Sequence, residues 1–123
     1  MSELSLEEFE EIVDEALSSL PKRFAGMIEN VAIAVEEEPT AEDLESVEPG
    51  EDGEHDELLG IYRGVPLTER DHSMLLLPDE IAIFRGAIGR VARTRQEAVK
   101  EVRETIVHEL GHYFGLEDED MPY

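Results

Sequence analysis

Near its C-terminus the chain reads Val107-His108-Glu109-Leu110-Gly111-His112-Tyr113-Phe114-Gly115-Leu116-Glu117-Asp118, that is, H-E-x-x-H-x-x-G-x-x-D. Residues four apart share one face of a helix, with Cβ atoms about 5–6 Å apart, so the imidazoles of His108 and His112 can hold one metal ion, at about 2.0–2.1 Å for zinc. Glu109 projects about 100° round the axis, outside the ligand set but within reach of a water polarised by the metal. Zn2+ with a carboxylate base beside it is the apparatus of peptide hydrolysis. Gly115 falls at the position after a helix end, where a positive φ is wanted and glycine adopts it without steric cost. A reversal there carries Asp118 back as a third, oxygen ligand. Glu117, Glu119 and Asp120 are rivals, and the spacing after Gly115 favours Asp118. A carboxylate leaves the site less positive than a third neutral His, so a somewhat less acidic bound water is expected.

The element that must carry this motif is a long helix over Arg93 to Phe114. Val99, Val102, Ile106, Leu110 and Tyr113 recur along it as one apolar stripe. His108 and His112 fall nearly opposite, with Thr105 and Glu101 on their side. Histidines serving the core would lie in the stripe, which weighs against a purely structural role.

Ahead of it, Ser5 and Glu8 form a capping-box start. Leu6, Phe9, Ile12, Val13, Ala16, Leu17 and Leu20 follow at helical spacing, with Pro21 as the stop and Glu7, Glu8, Glu10, Glu11 and Asp14 as a solvated face. Asn30 to Glu37 is β-branched and apolar, a strand. Over residues 36–57, 12 of 22 are acidic, with Pro39, Pro49, Gly50 and Gly53 among them. That composition predicts a solvated, mobile loop with one helical turn at Ala41 to Ser46. Leu58 to Arg63 reads as a second strand, ended by Gly64 and Pro66. Met74 to Leu77 is a short apolar run stopped by Pro78. Glu80 to Arg85 reads as a third strand, closed by Gly86 and Gly89. His55, inside the acidic loop, reads as an ordinary exposed histidine, and His72, in the polar loop Thr68 to Ser73, has no neighbour at ligand spacing and is a weak metal-ligand candidate. The fold class is α+β: a small mixed or antiparallel sheet of about three to four strands on two main helices.

A chain of 123 residues is expected to form one domain, residues 1–123. With 32 acidic against 10 basic side chains, net −22, it is repelled by nucleic acid and anionic lipid, so neither is an expected partner. The absence of cysteine excludes disulfides and thiolate ligands. There is no apolar leader at the N-terminus and no run of the eighteen or so apolar residues that a membrane span needs. A soluble, cytoplasmic protein is the expectation.

The chain as a whole resembles the minimal zincin-like metallopeptidase family, small single-domain bacterial proteins. The resemblance covers nearly the full length. It is carried by Leu59-Gly60-Ile61-Tyr62-Arg63-Gly64-Val65-Pro66-Leu67-Thr68-Glu69-Arg70, by Leu77-Pro78-Asp79 leading into Ile81-Ala82-Ile83-Phe84-Arg85-Gly86, and by the motif ending at Asp118. The extended motif is also similar to the metzincin signature, H-E-x-x-H-x-x-G-x-x-H/D. The resemblance implies a zincin-like fold, zinc held by His108, His112 and Asp118, and Glu109 as general base. It also implies an open sheet edge beside the metal that takes an extended peptide as an added strand. Glu80 to Gly86, immediately before the metal helix, is the candidate edge. Larger metzincins place a methionine turn beneath the metal. Here only five residues follow Asp118, and Met121 is the candidate for that place, terminal packing being its plainer role.

Hydrolysis also wants a donor aimed at the developing oxyanion, worth about 2.7–4 kcal/mol. Tyr62, His72, Arg85, Tyr113 and Tyr123 are the candidates, Tyr113 the weakest because it lies in the apolar stripe. The expected function is therefore a zinc metallopeptidase acting on extended peptide or protein segments. The alternatives are a metal-holding peptide-binding module without turnover, and a zinc ion that merely stabilises the C-terminal turn.

Overall fold

The computed structural model describes residues 4–46, 57–63 and 79–113. The first helix, α1 (Leu6–Ser18), starts as its capping box requires. The Ser5 hydroxyl accepts the Glu8 amide at 3.1 Å, and the Ser5 carbonyl accepts the Phe9 amide at 2.9 Å. Its stripe of Phe9, Ile12, Val13 and Ala16 is buried. Removing the cap with Ser5→Ala is expected to lower stability by about 1 kcal/mol, read by urea denaturation. Pro21 does more than stop α1. Its carbonyl accepts the amides of Phe24 and Ala25 at 2.9 and 3.0 Å, opening the short helix α2 (Lys22–Met27), which Phe24 anchors in the core.

Three strands make one mixed sheet in the order β1-β3-β2: β1 (Val31–Glu36), β2 (Gly60–Arg63) and β3 (Asp79–Phe84). β1 runs parallel to β3 with Val31 opposite Asp79, and β2 runs antiparallel with Tyr62 opposite Ile81. The expectation that Glu80 to Gly86 supplies an open edge is overturned. β3 is paired on both sides, and Ile81, Ala82, Ile83 and Phe84 are wholly buried. An uninterrupted apolar run is the mark of a strand covered on both faces, and it belongs at the centre of a sheet. Among the described residues the outer strands are β1 and β2.

The third strand also stops earlier than Gly86. Arg85–Val91 is a helix, α4, followed by α5 (Arg95–Tyr113). The two glycines expected to close the strand lie inside α4, and the reason is packing. The Gly86 amide donates to the Glu37 carbonyl at 2.9 Å, and a Cβ there would sit 2.9 Å from that same oxygen.

α5 lies between α1 and the sheet and touches both. It therefore needs a wider apolar arc than the single stripe read from sequence: Ala98 and Val107 are buried along with Val99, Val102, Ile106 and Leu110. Each such large aliphatic side chain contributes about 1.5–3 kcal/mol on burial.

Residues 36–45 of the acidic stretch after β1 are mostly exposed, and several of them have specific partners. The expected helical turn is present as α3 (Ala41–Ser46). A reciprocal capping box opens it: the Asp43 amide donates to the Thr40 hydroxyl at 3.1 Å and the Thr40 amide to the Asp43 carboxylate at 2.9 Å. Three successive glutamates are each gripped by a different arginine. Glu36 binds Arg63, Glu37 binds Arg85 and Glu38 binds Arg90. Residues 47–56 of that stretch lie outside the described residues, as does the apolar run Met74 to Leu77.

Arg63, at the end of β2, is the hub. Its guanidinium donates from Nε and Nη2 to Asp43 (3.1 and 2.7 Å), from Nη1 and Nη2 to Glu36 (2.6 and 2.8 Å) and from Nη1 to Glu80 (2.9 Å). Those five bonds match its five N–H donors. The hydrogen bond from Arg63 holds the carboxyls of Glu36 and Asp43 below their ordinary values, and the same hydrogen bonds, to Glu36 first and then to Asp43, raise the guanidinium pKa. Arg90 likewise lowers Glu38.

Candidate metal centre

The N-terminus of α5 is fixed by Thr94, whose hydroxyl accepts the Glu97 amide at 3.1 Å, while the Glu97 carboxylate accepts the Arg93 amide at 2.6 Å. The helix then runs unbroken to Tyr113. Positions 108 and 112 are therefore successive turns of one face, separated by a rise of about 6 Å. This is the spacing at which one cation takes two imidazoles. His108 and Glu109 are both half-buried, and both are engaged with neighbours.

The face carrying Thr105 and His108 is not simply open to water. Thr105 is half-buried, and its methyl group lies against Gly60 of β2. The outer strand next to the motif helix is thus β2. Its residues Gly60 and Tyr62 share the sheet face that α5 covers.

Asp118, Gly115, the rival acids Glu117, Glu119 and Asp120, and Met121 lie outside the described residues, as do His55, His72 and Tyr123. Among the described residues no three His, Cys, Asp or Glu side chains gather as a metal cage. The two helical positions have the spacing of two ligands to one tetrahedral zinc.

Of the oxyanion candidates, Arg85 is removed by its contacts. Its guanidinium is committed to the Glu37 carboxylate and the Leu4 carbonyl. Tyr62, the other candidate whose side chain is described, is half-buried and packed against the core. Sequence reasoning missed the contact between Gly60 and Thr105. The available signal was a glycine inside an apolar strand, which marks close approach of another element. No helix among the described residues is long and apolar enough to cross a membrane.

Comparison with known proteins agrees with this arrangement. A conserved hypothetical protein from Thermo thermophilus, of known structure, is 28% identical, with a TM-score of 0.55 over 90% of this chain and 94% of that one. No curated protein matches. The family model described as zincin-like metallopeptidase matches residues 28–123, a span that takes in the sheet, α5 and the whole H-E-x-x-H-x-x-G-x-x-D motif. The chain belongs to the zincin-like metallopeptidase family.

Proposed function

We propose that the protein is a zinc-dependent metallopeptidase that hydrolyses extended peptide segments. The observation that carries this reading is an unbroken α5 with His108, Glu109 and His112 in register, in a chain of this family. His108 and His112, joined by Asp118, would hold the ion. Bound zinc supplies Lewis-acid polarisation of the scissile carbonyl and of the attacking water. Glu109 takes the proton from that water and delivers it to the leaving amine. β2, the outer strand against α5, offers main-chain groups for an extended substrate, replacing the β3 edge expected from sequence.

Zinc content by mass spectrometry tests the site. The wild-type chain is expected to carry one zinc, and His108→Ala to lose it. A wild-type chain that binds no zinc, or a variant that keeps it, overturns the ligand assignment.

A further inference from the structure

Gly60 opens β2 and faces α5. A Cβ built on it would lie 2.7 Å from Thr105 Cγ2, 2.8 Å from the Ala82 carbonyl oxygen and 3.1 Å from Ile83 Cδ1. Two of these neighbours belong to the sheet's central strand and one to the motif helix, so an added methyl has nowhere to go unless β2 moves. Thr105 precedes His108 and Glu109 by three and four residues, the spacing that puts residues on one side of a helix. The outer strand therefore touches α5 about one turn, roughly 5.4 Å, before the motif. Gly26 and Gly86 differ. Gly26 has nothing within 4 Å of its missing Cβ, and the crowding at Gly86 comes from Glu37 and Glu38.

We propose that Gly60 is a positioning residue: its missing side chain sets the gap between β2 and α5 at Thr105, and so places the strand that receives the peptide against the His108–Glu109 face. For the peptide this rests on the reading given under Proposed function. The spacing of strand and helix does not.

The test uses the zinc-loaded full chain as wild type, Gly60→Ala and, as a matched control, Gly26→Ala. Two probes separate strand from metal. Acetohydroxamate engages only the ion, whereas a tripeptide hydroxamate engages the ion and the strand. Gly60→Ala is expected to bind zinc and acetohydroxamate within about twofold of wild type and the tripeptide hydroxamate about tenfold more weakly. Adding Thr105→Ser, which removes the obstructing methyl, is expected to recover about threefold of that loss, the non-additivity expected of residues in contact. Gly26→Ala is expected to match wild type throughout.

Wild-type affinity of Gly60→Ala for the tripeptide probe overturns the proposal, and so does an equal loss for both probes. If Gly60→Ala does not fold, Thr105→Ile crowds the same gap from the helix side and is read the same way. If wild type binds no zinc, the peptidase reading fails and amide hydrogen exchange reports on the gap instead. Residues 60–62 and 104–107 are then expected to exchange at least about tenfold faster in Gly60→Ala, and unchanged exchange overturns the proposal.

Discussion

Glu109→Gln is expected to abolish peptide hydrolysis while zinc stays bound, with kcat falling by about 10²–10⁴-fold. The substitution keeps the size of the side chain and its place on α5, half-buried beside His108, and removes only the capacity to accept and return a proton. Because Glu109 lies about 100° from His108 round the helix, the ligand pair is untouched and metal content should equal that of wild type. Measuring turnover of an unstructured protein substrate and zinc content on the same samples separates three outcomes. Loss of turnover with zinc retained supports the general-base role. Proteolysis that survives excludes it. Peptide binding without cleavage in either form supports a binding module on the same scaffold.

Arg63→Met is expected to lower stability at neutral pH by about 2–3 kcal/mol, below the 3–5 kcal/mol typical of breaking a fully buried pair because the guanidinium is partly screened by water. The loss falls on three acids at once: Asp43 is buried, and Glu36 and Glu80 are about one-third exposed. Its pH dependence has a definite sign. In wild type the folded values of Glu36 and Asp43 lie below their ordinary 4.5 and 3.8. Their contribution is therefore complete above those values and is lost as pH falls through the depressed ones. In the variant the cation is gone and the two carboxylates face one another, an interaction that raises the Glu36 value even in wild type. Raised folded values reverse the trend, so acidification relieves the variant while it weakens the wild type. Urea melts at about pH 7 and about pH 4 are expected to show the difference between the two chains narrowing. A difference that stays constant or grows on acidification would show that the guanidinium does not set these titrations.

How much of this was legible in the chain depended on the length and partners of each element. α5 and α1 were readable because each repeats its apolar residues over several turns, and α1 also begins with a capping residue, Ser5. α2 and α4, with six and seven residues, are too short for periodicity to speak. Their punctuation misled as well, since Pro21 opens a helix and Gly86 packs inside one. β3 was recognisable as a strand, but its order in the sheet follows from pairing with residues about 20 and nearly 50 positions away, which no local window contains. The partners of Glu36 to Glu38 and Asp43 were not legible because their arginines are equally remote in sequence. The helix that carries His108, Glu109 and His112 was legible from spacing alone.

The grip on Glu36, Glu37 and Glu38 bears on the route by which the protein folds. These links join residues 27, 48 and 52 positions apart, and the partners of Glu37 and Glu38 sit on α4, just beyond β3. They can close only after the parallel strands have met, when the entropy of that large loop has already been surrendered. Contacts made after the transition state leave the folding rate nearly unchanged and slow the reverse step. The clasp is therefore expected to prolong the lifetime of the native state more than it hastens its formation.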